Sequence, residues 1–448
     1  MSHRELEPDS LPTRGAEFLE GWPDSPLVPT VQMLLADYFN RKNEYEKALP
    51  YWEKLAEKIP ADLQKNAESI VFELGRTNFK LKKWAGAASA YSRFTKEFPK
   101  SSLLVSAREQ LAISYYNDNK LKESLTVWQV IADTAAPKSD TRQRALEQCG
   151  LLEAKFEHKK EMSVYFEQLL SEFPNTSIRA YAAYNVGDFA YDSKDFKKAE
   201  PMLLKAREWD PAAMALPCSG MLCTIAYSNK DLAKAITYIK DYEVAAEEKK
   251  AASKGDAKPI APMKAALYFW VAQTAREKGQ TENAAQFYTK VTEHVAPGEF
   301  LPFAWLALAE EQYKLKQYKE SVASFKKYQE LQPQYAHTVQ VILGLGKSYL
   351  AAGQFEDARA MAKEITSTDA ESANNAIARL IEADSYFGAG DYDSAAKYYS
   401  VLAVVHHDPE ITPKAIKGAI KSYQKLGDQK SVDKWKEELR KSYPKEGA

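Results

Sequence analysis

A short pattern returns about every 37 residues along this chain, and it limits the possible folds more than any other feature. It sets a small residue, an aromatic four places on and often a proline twelve places on. The small slot falls at Ala48, Ala87, Ser124, Met162, Ala199, Ala235, Ala284, Ser321, Ala358, Ala395 and Val432, with gaps of 39, 37, 38, 37, 36, 49, 37, 37, 37 and 37. Met162 and Val432 fit the slot poorly. A unit of this length cannot bury a core alone, so its copies must stack into an array. An array offers an extended binding surface more readily than an enclosed enzyme pocket.

The composition agrees. Length alone suggests about three domains for 448 residues, but a stacked array grows without that limit. Apolar residues make up 45%, enough for a folded chain, and 61 basic residues nearly cancel 62 acidic ones. No overall field therefore draws nucleic acid or an anionic membrane. No stretch approaches the roughly 20 apolar residues that cross a bilayer, and the opening MSHRELEPDS lacks the basic start and apolar run of a secretory signal. As it stands the chain is expected to be soluble and cytoplasmic; a removed signal or anchor would make it periplasmic or membrane-associated. Cys149, Cys218 and Cys223 are expected to be buried helix residues rather than a disulfide framework.

Each unit reads as two helices. From Phe303, residues Trp305, Leu308, Ala309 and Tyr313 recur at helical spacing. A polar break over 314–317 separates them from a second stripe of Tyr318, Ser321, Phe325 and Tyr328, which Pro333 stops. No segment alternates as a strand would.

These units resemble the tetratricopeptide repeat family. Its pattern has a bulky residue, Leu-Gly and Tyr in the first helix, then Ala, an aromatic, Ala and Pro in the second. Leu74-Gly75 with Ala87, Tyr91 and Pro99 fit it, as do Val186-Gly187 with Ala199, Ala206 and Pro211, and Leu345-Gly346 with Tyr349 and Ala358. The resemblance implies an all-α, right-handed superhelical solenoid of about eleven helix-turn-helix repeats. The small slots mark where paired helices cross closely. The family period is 34; the longer one here implies longer helices or turns. The copy holding Glu153 and Met162, where Tyr and Ala are expected, predicts disturbed packing. The period and the joining segments EFPKSS, EFPNTS and WPDSP also resemble repeats of bacterial envelope proteins, namely outer-membrane assembly lipoproteins and Tol–Pal-type coordinators.

The expected organisation is a partial helical unit or cap over 1–27, an N-terminal array over 28–246, a polar insertion over 247–262 and a C-terminal array over 263–448. The first half-unit, RGAEFLEGWPDSP, lacks a matching first helix: it caps the array or is the edge of a longer protein. The insertion absorbs the 49-residue gap, with Gly255, Pro259 and Pro262 breaking the helix. Lys414, Lys417 and Lys421 form a basic face on the last unit, expected to be a solvated cap.

In arrays of this family first helices line the concave side. The resemblance then turns Phe72, Phe79, Tyr116, Tyr184, Tyr191, Tyr227, Phe269, Tyr313 and Phe387 inward, with Arg76, Asp188, Glu310, Lys347 and Asp384 between them. Aromatic area with polar tips suits a peptide or helix, and mixed charges would set its register. The alternative is that these aromatics pack between units. The Lys/Asn/Arg clamp by which some relatives hold a C-terminal carboxylate is not expected, since Asn185 and Arg76 occur singly.

No catalytic, cofactor or metal site is expected. His406-His407 sit in an inter-helix turn without further ligands, and GLGKSYL from Gly344 lacks the phosphate-loop spacing. The sequence thus reads as a non-catalytic scaffold binding a peptide, helix or protein subunit, in an envelope assembly by resemblance. A self-assembling stalk and a regulatory region of a larger catalytic polypeptide remain as alternatives; oligomeric state is open.

Overall fold

The computed structural model describes residues 10–252, 263–294, 299–367 and 373–446. Among them the only regular elements are helices, as the periodicity predicts. Two compact units, Met1–Met221 and Leu222–Ala448, divide the chain. The helices run α1 (Leu11–Gly21), α2 (Val28–Arg41), α3 (Tyr45–Glu57), α4 (Ala67–Lys80), α5 (Trp84–Glu97), α6 (Leu104–Asn117), α7 (Leu121–Thr134), α8 (Asp140–Lys155), α9 (Lys159–Glu172), α10 (Arg179–Asp192), α11 (Phe196–Trp209) and α12 (Pro211–Ser228). They continue as α13 (Leu232–Ala252), α14 (Ala265–Glu277), α15 (Thr281–His294), α16 (Leu301–Lys314), α17 (Tyr318–Leu331), α18 (Val339–Ala351), α19 (Phe355–Thr366), α20 (Ala373–Gly388), α21 (Tyr392–Val405), α22 (Ile411–Leu426) and α23 (Gln429–Ser442). After the unpaired α1 they form helix-turn-helix pairs, from α2/α3 to α22/α23.

One backbone device makes every pair. The turn between its helices holds one residue in the left-handed region: Asn43, Lys82, Asn119, Glu157, Lys194, Lys230, Gly279, Lys316, Gly353, Gly390 and Gly427, with φ between 55° and 83°. Each lies five residues before a small slot of the sequence pattern. The next amide reaches back to the last turn of the first helix, as in Lys83 N to Asn78 O (2.9 Å), Asp195 N to Ala190 O (2.8 Å) and Asp391 N to Tyr386 O (3.0 Å). This closure satisfies carbonyls that a helix end leaves open. Where the next residue is Asp it also caps the second helix: Asp195, Asp391 and Asp428 accept the amides of Lys198, Ser394 and Ser431.

The turn brings two small positions face to face. On the second helix the slot is closed throughout: Ala48, Ala87, Ser124, Ala199, Ala235, Ala284, Ser321, Ala358 and Ala395 are each 0% exposed. On the first helices, seven residues before each left-handed residue, stand Ala36, Gly75, Ala112, Gly150, Gly187, Cys223, Ala272, Ala309, Gly346 and Ala383, all small, and in the last pair the larger Ile420. The approach is close enough for Ser124 Oγ to donate to the carbonyl of Ala112 (2.8 Å) and Ser321 Oγ to that of Ala309 (2.7 Å). A Cβ on Gly75 would stand 2.9 Å from the Tyr91 ring, and one on Gly187 2.9 Å from the Leu203 side chain. Gly346 differs. A Cβ there meets nothing nearer than 3.4 Å, because the second helix offers Ala362 where the other two offer Tyr91 and Leu203.

The copy expected to pack badly is intact. Met162 is 4% exposed and Phe166 0%, and both sit in one core with Leu146, Cys149 and Leu152. Glu153 is buried because His158 Nδ1 lies 2.8 Å from its carboxylate. Flexible Met fills the slot without forcing the helices apart. All three cysteines are buried and free; Cys223 simply occupies a small slot.

The aromatic-Pro junctions share one geometry. At Trp22–Val28, Phe98–Leu104 and Phe173–Arg179, the Ser or Thr three residues on donates its amide to the aromatic carbonyl, and its own carbonyl receives the next helix's first amide (3.0–3.2 Å). In two of them the hydroxyl also reaches back to the pair's first helix: Ser101 Oγ to Glu68 (2.6 Å) and Thr176 Oγ1 to Glu147 (2.5 Å). Most of the 247–262 insertion lies outside the described residues; Glu247–Ala252 extend α13. Of the basic face, Lys417 pairs with Glu446 at 2.7 Å.

Two stability predictions follow from the turn and the crossing. A side chain at left-handed φ costs about 1–2 kcal/mol, partly offset by the entropy glycine loses. Glu157→Gly should therefore raise the unfolding free energy measured in urea by about 0.5–1 kcal/mol, and Gly353→Ala should lower it by a similar amount. Ala199→Leu overfills a closed crossing and should cost about 1–3 kcal/mol or more in the same measurement.

Candidate functional site

The residues expected to face inward fall into three registers when counted from the left-handed turn residue. Three places before it stand Phe79, Tyr116, Tyr191, Tyr227, Tyr313 and Phe387; six before, Arg76, Asp188, Glu310, Lys347 and Asp384; ten before, Phe72, Tyr184 and Phe269. At about 100° per residue the three registers span roughly 60° of helix surface. They share one face of the first helices.

Within that face the side chains do different work. Four of the aromatics at the third place before the turn rest on the first residue of the following helix: Phe79 on Trp84, Tyr191 on Phe196, Tyr313 on Tyr318 and Phe387 on Tyr392, with ring centroids 5.3, 6.0, 5.6 and 5.3 Å apart. They brace the turn. Tyr116 remains 43% exposed beneath Lys155 Nζ (5.2 Å), and Tyr227, 46% exposed, meets Trp270 edge-on at 4.9 Å. Phe72 is partly buried and packs edge-on against Tyr91 and Phe94 of the core. Tyr184 is half-buried, and burial raises its hydroxyl pKa.

The charges are largely engaged locally. Arg76 pairs with Glu73 (2.7 Å) and Asp188 with Lys159 (2.9 Å), which also holds Asp192. Asp384 accepts the Tyr399 hydroxyl; burial pushes its carboxyl pKa up, against the pull of that bond and of Lys421 and Lys414. Lys347 is half-buried. Such pairs lie within one first helix or join it to a neighbouring second helix, and they leave little free charge on the face.

In the Leu222–Ala448 unit the face opens into a pocket of about 680 Å³. Its wall is aromatic: Phe269 lies 5.0 Å from Phe300 and 5.9 Å from Tyr288, centroid to centroid. Phe300 and Phe303 stand at the mouth, 37% and 57% exposed. Arg276 of α14 crosses to α16, where Glu310 takes its guanidinium and Glu311, 1% exposed, lies 3.3 Å away. Glu310 also accepts from Gln340 of α18 (2.6 Å), and Lys314 pairs with Glu311 (2.6 Å). Burial opposes the charge on Arg276, but the carboxylates outweigh it and hold its pKa up.

Of the sequence-derived set, the pocket gathers Phe269 and Glu310. Sequence reasoning missed Arg276, Tyr288, Phe300 and Phe303. A signal was there: Phe300 and Phe303 flank Leu301-Pro302 at the start of α16, ahead of the repeat's helical stripe that begins at Trp305. Among the described residues no three His, Cys, Asp or Glu side chains are placed to hold a metal ion, and no helix is long and apolar enough to cross a membrane.

These pairs are the units of a helical-repeat solenoid, the class of protein that the turn, the crossing and the shared face define. Family profiles of the tetratricopeptide repeat match at residues 71–101, 265–293, 304–335 and 343–411. The chain therefore carries tetratricopeptide repeats, and as such is a protein–protein interaction scaffold of a generally non-catalytic kind. None of the curated proteins compared matches it. Distantly similar solved structures include Naa15/Naa10 bound to HypK-THB (13% identity over 93% of this chain and 64% of that one, TM-score 0.38). A tetratricopeptide repeat protein of Parabacteroides merdae ATCC 43184 gives 15%, 67%, 99% and 0.31 in the same order, and Cut9–Hcn1 of the APC/C gives 11%, 97%, 92% and 0.31.

The bridge beneath the pocket is testable. Arg276→Ala leaves buried Glu311 with a single cation and should cost about 1–3 kcal/mol. Glu311→Gln in the same chain should recover part of that loss, a coupling that a double-mutant cycle in urea measures.

Proposed function

We propose that this scaffold binds a protein partner on the first-helix face of its C-terminal unit, with a side chain of the partner seated in the Phe269–Phe300–Phe303 pocket. The observation that carries the reading is the pair of exposed phenylalanines at the mouth of a concavity whose floor is already satisfied. Exposed rings beside a pocket are a standing cost in water that docking removes. Aromatic anchors filling pockets commonly supply most of an interface's energy. The array holds its partner in one geometry and supplies no chemistry of its own. Tyr227, exposed on a first helix of the same unit, would extend the contact beyond the pocket.

The setting we propose is an assembly of the bacterial envelope. Its support is the style of the junctions, which also have a packing role, so the binding reading rests on the pocket.

Affinity capture with quantitative mass spectrometry, comparing the wild type with Phe300→Ala/Phe303→Ala, tests the reading. Both rings are exposed, so circular dichroism should show an unchanged fold. The same partner should be depleted from the variant by about tenfold or more, the loss expected for hot-spot anchors. An unchanged set of partners would overturn the pocket as the docking site.

A further inference from the structure

We infer that the segment seated in this pocket presents a basic side chain, arginine or lysine, within an apolar stretch, and that Glu277 and Glu299 receive its charge. The inference rests on the docking reading above and adds the chemistry of the occupant.

The charges of the lining decide it. Two cations line the pocket, Arg276 and Lys314, and both are already matched. Arg276 is held by Glu310 and approached by Glu311, and Lys314 lies 2.6 Å from Glu311. Those two carboxylates use up the two cations. The lining has two further acids, Glu277 and Glu299, both exposed at the rim. Glu277 accepts the Gln273 side-chain amide at 3.3 Å, and among the described residues neither acid has an ion-pair partner. The pocket thus shows an occupant two surplus negative charges.

The aromatic wall favours the same occupant. Phe269 and Phe300 stand 5.0 Å apart with planes inclined by 30°, and Phe300 stays 37% exposed, so one ring of the pair is open to an occupant. A guanidinium or ammonium is attracted to such faces, and its aliphatic stem covers apolar surface on the way in. Phe303, more than half exposed, offers the contact for the apolar neighbours. An acidic segment would meet Glu277 and Glu299 and would find both cations neutralised. A wholly apolar one would strip water from two carboxylates and return nothing.

The test uses the full chain and three short capped peptides, in which leucine alternates with arginine, glutamine or glutamate, followed by fluorescence anisotropy. The Arg/Leu peptide should bind tightest, and added salt should weaken it. Glu277→Gln/Glu299→Gln should reduce its affinity about tenfold while leaving Gln/Leu binding unchanged. Phe303→Ala should weaken every peptide that binds. If the glutamine variant keeps full Arg/Leu affinity, or the Glu/Leu peptide binds best, the charge assignment is wrong. Sensitivity to Phe303→Ala would then still uphold the docking reading. If no peptide responds to Phe303→Ala, both fall together.

Discussion

Everything in this molecule depends on two small side chains meeting where the helices of a pair cross. A closed Ala or Ser on the second helix faces Ala, Gly or Cys on the first, and the backbones come near enough for Ser124 and Ser321 to donate across the gap to main-chain carbonyls. The left-handed turn residue sets the angle at which they arrive, and the amide after it closes the first helix. With separation and angle held, the bulky residue four places on, Tyr91 or Leu203 for example, drops onto the glycine opposite. The core is the repetition of that contact. Close packing of this kind tolerates a flexible methionine in the slot but little extra bulk.

A fixed turn also fixes a register. Counting back from it places a set of aromatics and charges on a single face, although they are scattered along the sequence. Most of them have structural duties there. Phe79, Tyr191, Tyr313 and Phe387 brace the turn that defines them, and Phe72 packs against the core. Glu310 links neighbouring first helices, and Asp188 ties its first helix to the second helix of the pair before. The shared face is therefore largely a by-product of what holds the array together, and the binding site proposed above is where that packing leaves rings uncovered. In the C-terminal unit this happens around Phe300 and Phe303, because they enter α16 ahead of the braced part of the helix.

The charge arrangement follows the same economy. Cations and anions along the face cancel in local pairs, within one helix for Arg76–Glu73 and between helices for Lys159–Asp188 and Arg276–Glu310, which keeps half-buried groups satisfied. The recognition proposed above uses groups outside those pairs. At the pocket they are Glu277 and Glu299, on the rim rather than the floor.

The sequence by itself determined the fold class, the phase of every helix pair and which residues share the first-helix face. Those properties depend on spacing, and spacing is local: five residues from turn to slot, four from slot to aromatic. It also showed the cysteines as small packing residues. What it could not weigh was whether a given aromatic on that face is used up. Tyr313 and Phe303 look alike in the chain, but only in three dimensions does Tyr318 lie against the first. Nor could it anticipate that Met162 and Glu153 pack well, since that needs the shape of one cavity and a histidine brought to 2.8 Å. The pocket was decided by tertiary structure, because it joins α14, α15, α16 and α18 through contacts such as Arg276 to Glu310 that no repeat period encodes.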